Sequence, residues 1–156
     1  MVVPKGNFGN LLAAYYAKCM GLPLAKLICA SNDNRVLSDF FKTGVYDAKR
    51  ELIKTSSPSM DILVSSNLER LLYSLSGQDG ALVKGLMEDL SKEGNFTTDL
   101  DLSPFYSGYL SEEGVSRVIR ELFKKGYLVD PHTAVAYGVY ESYLSEEDSG
   151  RKGHNS

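Results

Sequence analysis

The chain has 156 residues, 43% of them hydrophobic and 24% charged, with a net charge of −3. That length suits one domain with a sizeable core, and the slight acidity leaves no basic footprint for nucleic acid. No apolar run reaches transmembrane length, and Met1-Val2-Val3-Pro4 carries no basic stretch ahead of a long apolar one, so neither a membrane span nor a signal peptide is expected.

Val2-Val3-Pro4 reads as the end of a strand, and the loop Gly6-Asn7-Phe8-Gly9-Asn10 follows at once. Phe8, Leu11, Leu12, Tyr15 and Cys19 recur at helical spacing and predict a helix from about Asn7 to Met20, stopped by Gly21 and Pro23. Lys26 to Ala30 predicts a short buried strand. Asn32 or Asp33 is expected to cap the next helix, whose inward face is Val36, Leu37, Phe40 and Phe41 and whose end is Gly44.

The Ser/Pro loop Thr55 to Ser59 leads into a long helical stretch with Ile62, Leu63, Leu68, Leu71, Leu72 and Leu75 as apolar positions. Asp79 to Lys92 predicts another helix, and Asn95 to Tyr109 reads as irregular or short strand. Ser111 caps an amphipathic helix lined by Val115, Val118, Ile119, Leu122 and Phe123, ending at Gly126. Asp130-Pro131 opens a last helix with an acidic cap and a first-turn proline, running to about Leu144. Residues 145–156 are polar and are expected to be disordered. Cys19 and Cys29 lie in apolar company without a CxxC or His/Cys cluster, so both are expected as reduced core residues of a cytoplasmic protein. The lysines are expected in surface-like positions.

The loop Gly6–Asn10 is the strongest candidate for chemistry. First-turn N–H groups of a helix have no partner within it, the helix dipole adds positive charge there, and glycines let the backbone approach an anion. Asn side chains add donors. Spacing alone leaves a plain strand-to-helix turn open, because the loop is neither a Walker loop nor GxGxxG. Asp130-Pro131-His132-Thr133 gathers a carboxylate, an imidazole and a hydroxyl at a helix start, and a simple cap explains them as well. The serines around Ser56–Ser59 and Ser65–Ser66 read as caps and turns. No Ser-His-Asp spacing, HExxH or EF-hand loop is present.

Six stretches together resemble one family. They are Val3-Pro4-Lys5-Gly6-Asn7-Phe8-Gly9-Asn10; Ala13 to Pro23; Asp39-Phe40-Phe41-Lys42-Thr43-Gly44; Ser57-Pro58-Ser59-Met60-Asp61-Ile62; Ser65 to Leu72; and Asp130-Pro131-His132-Thr133-Ala134-Val135. In this order they resemble threonine synthase, of the pyridoxal-phosphate-dependent tryptophan-synthase-β-like superfamily.

The resemblance implies an α/β fold, helix-rich with a few short parallel strands. It makes residues 1–144 part of the family's large cofactor-binding domain. It implies that Gly6, Asn7, Phe8, Gly9 and Asn10 hold the phosphate of pyridoxal 5'-phosphate, and that Asp130 lies near the pyridine ring. It also implies O-phosphohomoserine as the parent enzyme's substrate. The family's cofactor-linking lysine lies in a Phe-Lys-Asp type motif that this chain lacks, and Phe41-Lys42-Thr43 matches a different stretch. The residue that meets the pyridine nitrogen lies beyond the Asp130 helix in relatives. No catalytic residue is therefore assigned here. The expectation is a fragment that is inactive alone, completed by the remaining segments of the same enzyme and prone to self-association. The alternative is a non-catalytic interaction or scaffold domain that kept the fold. Lys5 is expected at the phosphate end of the cofactor, not at its aldehyde.

Overall fold

A computed structural model describes residues 1–153 of the chain. The elements run β1 (Val2–Pro4), α1 (Gly9–Cys19), β2 (Leu27–Ser31), α2 (Val36–Thr43), β3 (Val45–Asp47), a single 3-10 turn (Pro58–Met60), α3 (Leu68–Leu75), α4 (Gly80–Glu93), β4 (Asn95–Thr97), β5 (Phe105–Tyr109), α5 (Glu112–Lys124) and α6 (Pro131–Gly153). Strands β1, β2 and β5 form a parallel sheet with β2 in the middle, Val2 opposite Ile28 and Leu27 opposite Phe105. Strands β3 and β4 pair antiparallel as a separate two-stranded ribbon.

Every residue of β2 is buried, as expected of a parallel strand covered on both faces. Its side chains alternate between two cores. Leu27 and Cys29 join Phe8, Leu11, Val36, Leu37 and Phe40 on the side of α1 and α2. Ile28 and Ala30 join Val115, Val118, Ala134, Val135 and Val139 under α5 and α6. Helices α2 and α4 end in the same way. Gly44 and Gly94 take left-handed conformations, each accepts no side chain there, and each passes the chain straight into β3 or β4. At Gly44 a Cβ would come within 2.5 Å of the Thr98 carbonyl oxygen, so only glycine suits the position.

Caps form where the sequence places them in three helices. Asp79 accepts from the Leu82 N–H, Ser111 from the Gly114 N–H, and Asp130 from the N–H groups of His132 and Thr133. Five expectations are corrected. Neither Asn32 nor Asp33 caps α2. Its N-cap is Arg35, with no side-chain cap bond, because the Asn32 amide is directed at Thr55, Ser57 and Asp61 and the Asp33 carboxylate at the Glu112 N–H.

The stretch from Ile62 is not helical until Leu68. The Tyr46 hydroxyl holds the Leu63 carbonyl at 2.8 Å, which the backbone of a helix would need for itself. Cys19 is exposed at the end of α1, and only Cys29 is a core thiol. Lys5 is buried, against the surface position expected of the lysines. Finally, α6 continues past Leu144 to Gly153 in place of the disordered tail. Tyr143 packs edge-on against Tyr106 of β5, with rings 4.9 Å apart, which holds this part of the helix to the sheet. Residues 154–156 of that tail lie outside the described residues.

Candidate functional site

The carboxyl ends of parallel strands are where ligands bind in open α/β sheets. Here that edge carries the loop from β1 to α1. Phe8 adopts a left-handed conformation (φ 65°, ψ 1°) at the N-cap of α1 and offers no side-chain cap. Its ring is driven into the core instead, stacking on Phe41 at 5.8 Å. Strain at a non-glycine residue needs such an anchor to hold it. The turn leaves the first N–H groups of α1, at Gly9, Asn10 and Leu11, without helical partners.

Gly6 and Gly9 leave two positions of the loop bare, although a Cβ at either would make only an ordinary contact. A Cβ on Gly6 would stand 3.5 Å from the Ser59 carbonyl oxygen, and one on Gly9 would stand 3.5 Å from the Asn67 side-chain nitrogen. The cavity lined by Val3 to Leu11 has a volume of about 230 Å³. Its donors, its dipole and its missing side chains match a phosphate group in chemistry.

The walls come from distant stretches. Asn67, at the start of α3, donates to the Asn7 carbonyl at 2.8 Å, and Arg70 holds the Asn67 side-chain oxygen at 2.7 Å. The Ser65 hydroxyl reaches the Gly6 carbonyl at 3.4 Å. Beneath the loop, Asp61 sits in a polar knot. Its carboxylate accepts from Asn32 and Asn34 side chains at 2.8 and 2.9 Å, and from the Thr55 hydroxyl and N–H at 2.8 and 2.9 Å. The serines that read as caps and turns thus act together with Asp61 and Asn67 and with Asn32 and Asn34, which are distant from them in the chain. Their density between Asn32 and Asn67 was the one signal that they act together.

Asp130 stands at the N-terminus of α6. Its carboxylate accepts from the His132 and Thr133 N–H groups and from the Thr133 hydroxyl. Those bonds hold its carboxyl down at about 2. His132 reaches from the same turn to the Ser59 hydroxyl, 2.9 Å away. Ser59 thus stands between the Gly6 end of the loop and the start of α6. A larger open hollow of about 790 Å³ lies among α1, α3 and α4, lined by Tyr16, Arg70, Tyr73, Val83, Lys84 and Met87 among others. It faces helix sides of mixed charge, and the strand-end loop is the better anion site.

No protein-family model matches the chain. Its relatives are nonetheless clear. It is 48% identical to threonine synthase-like 1 of Macaca fascicularis over 141 residues, covering 86% of this chain and 19% of the relative. It is 39% identical to threonine synthase of Saccharomyces cerevisiae over 166 residues, covering 94% of this chain and 32% of the relative. The crystal structure of PLP-bound threonine synthase from Brucella melitensis superposes with a TM-score of 0.84 at 44% identity, over 90% of this chain and 32% of that one.

The parallel sheet, its flanking helices and the glycine loop at the strand end therefore define a part of the fold of pyridoxal-phosphate-dependent enzymes of the tryptophan-synthase-β-like type. Within that class the chain is homologous, over most of its own length, to threonine synthases. It spans about a fifth to a third of the length of the relatives it matches.

Proposed function

We propose that this chain supplies the phosphate-holding part of a threonine synthase, with Gly6, Asn7, Phe8, Gly9 and Asn10 cradling the phosphate of pyridoxal 5'-phosphate. The observation that carries the reading is the uncapped start of α1, turned by left-handed Phe8 at the carboxyl end of the parallel strand β1. The whole enzyme, a carbon–oxygen lyase, converts O-phosphohomoserine and water to threonine and phosphate. The bound cofactor supplies the electron sink for that chemistry.

This chain's residues bind and orient. Backbone N–H groups of the loop hold the anion, and Asn67 fixes the loop through the Asn7 carbonyl. Asp130 caps α6 and steadies His132 against Ser59, and it is our candidate for the acid beside the pyridine ring. The lysine and the partner of the ring nitrogen come from the remaining segments of the same enzyme. The isolated chain is then silent in turnover. Its free thiols, Cys19 and Cys29, suit a cytoplasmic setting.

An NMR titration with pyridoxal 5'-phosphate or inorganic phosphate tests the cradle. The amides of Gly6 to Asn10 should shift most, and shifts concentrated elsewhere would sink the reading. Purified chain with the cofactor and O-phosphohomoserine should release no phosphate above background. Steady release would show that the chain carries the full chemistry.

A further inference from the structure

Lys5 closes β1 immediately before the loop, and neither strand nor cradle accounts for its side chain. Its N–H extends the sheet ladder to the Ala30 carbonyl at 2.7 Å. The side chain then turns inward, leaving the residue 3% exposed. Nζ donates to three backbone carbonyls: Asn34 at 2.6 Å, Ile62 at 2.8 Å and Met60 at 3.2 Å. An ammonium has three donors, so all are used. The acceptors belong to two separate loops, one leaving β2 and one surrounding the Pro58–Met60 turn.

Burying an ammonium is costly and is tolerated where its hydrogen bonds are complete. Here the bonds are complete but the charge is not neutralised. Among the described residues Nζ has no ion-pair partner. The nearby Asp61 carboxylate is already engaged by Asn32, Asn34 and Thr55. A buried cation with an unanswered charge thus lies one residue from an anion-shaped loop, where the low dielectric strengthens its field.

We propose that Lys5 is the positioning residue of the phosphate loop: it ties the loop's entry to the 32–35 and 57–62 segments and sets positive charge beneath the bound anion. The inference rests on the phosphate-loop reading above and goes beyond it. It makes the anion affinity of the site depend on protonation of one lysine. Burial pushes Lys5 down to about 8; of the two titratable groups that face it, Cys29 from β2 and Asp61 from the 55–62 loop, the Asp61 carboxylate acts in the opposite direction. Cys29, itself pushed up to about 12 by burial, keeps its proton across the relevant range. The site should therefore lose anions on mildly alkaline titration.

The test uses the full chain and inorganic sulfate, whose charge is constant over this range. Sulfate is titrated at about pH 7 and about pH 9.5, on either side of the Lys5 value, with the amides of Gly6 to Asn10 followed by NMR. In the wild type the affinity should fall by about tenfold or more, with a midpoint matching that of Lys5 Nζ observed directly. Lys5→Met should bind weakly at both values. Lys5→Arg keeps its charge throughout and should regain affinity without the pH dependence.

Unchanged wild-type affinity across the titration of Lys5, or Lys5→Met binding as tightly as wild type, would overturn the proposal. If Lys5→Met does not fold, the wild-type titration decides alone. If the wild type binds no sulfate at either pH, the phosphate-loop reading fails. Positioning is then judged from hydrogen exchange of the Gly6 to Asn10 amides without ligand. Exchange at least about tenfold faster in Lys5→Met supports the tie, and equal rates refute it.

Discussion

Asp130 directs its carboxylate at its own helix start, and that geometry sets how it responds to acid. Hydrogen bonds from Thr133 and His132 lower its carboxyl to about 2 from an ordinary 3.8. A lowered folded value means the contribution is present above about pH 4 and is lost as pH falls through about 2. Asp130→Ala should cost ~1 kcal/mol near neutrality, as loss of a helix cap does. Urea melts of both proteins at neutral and strongly acidic pH check this, and a gap that persists in acid would count against the cap.

Lys5 has the opposite leaning. Its folded value of about 8 lies below its unfolded 10.5, so the fold gains stability as pH rises through that window and loses it as pH falls through 8. The effect is on the order of 3 kcal/mol if the whole shift is realised. Cys29 works against it, because a thiol pushed up to about 12 favours the fold at lower pH. The difference in melting between wild type and Lys5→Met largely cancels the Cys29 contribution. That difference should move in favour of the wild type between about pH 8 and about pH 10. A flat difference would show that the buried ammonium carries no such cost. A difference that moves as expected means that stability and anion binding respond to the same proton in opposite senses, a trade often met where function requires a strained group.

At the scale of elements, the loop after β5 locks two helices together. Leu110 lies in a slot between Gly114 of α5 and Gly138 of α6. A Cβ on either glycine would come within 2.7 Å of its methyl groups. Gly138→Ala should destabilise by about 1–3 kcal/mol through overpacking. Adding Leu110→Ala should recover part of that loss, so the double mutant should be less destabilised than the two single effects sum to. Denaturant unfolding of the three variants measures it, and simple additivity would mean the slot is not shared.

Such slots were hidden in the sequence, where Gly114 and Gly138 look like ordinary helix glycines. The helices themselves were legible, since Val115, Val118 and Leu122 mark their stripe and Ser111, Asp79 and Asp130 mark their starts. The buried strand Leu27–Ser31 was legible from its apolar run. The segment from Ile62 to Asn67 was not, because what holds it comes from Tyr46, far away in the chain. Of the site, the loop Gly6–Asn10 was readable from its local pattern. The inward turn of Lys5 was not, since its partners are Asn34, Met60 and Ile62. Local chemistry writes itself into neighbouring residues, and contacts across the fold do not.

The whole molecule presents apolar surface away from the site. Phe123, Tyr127 and Leu128 crowd the end of α5 and the link to α6, with Leu128 84% exposed, and Met20 is 82% exposed at the end of α1. Both β1 and β5 are edges of the sheet. Unpaired edges and apolar clusters favour association. Sedimentation over a range of concentrations should show mass rising with concentration, and Leu128→Ser should reduce it. A clean monomer at every concentration would speak against such contacts.

The register of the sheet has a temporal consequence. Leu27 pairs with Phe105, so about half of the chain is synthesised between the middle strand and its second neighbour. Distant pairings of this kind form slowly. During translation β1 and β2 can meet early, but one flank of β2 waits, its backbone N–H and C=O groups unpaired, until β5 leaves the ribosome. A pause or a rare-codon cluster placed just before Phe105 would lengthen that exposure, and a chaperone that covers strand edges would find its substrate there.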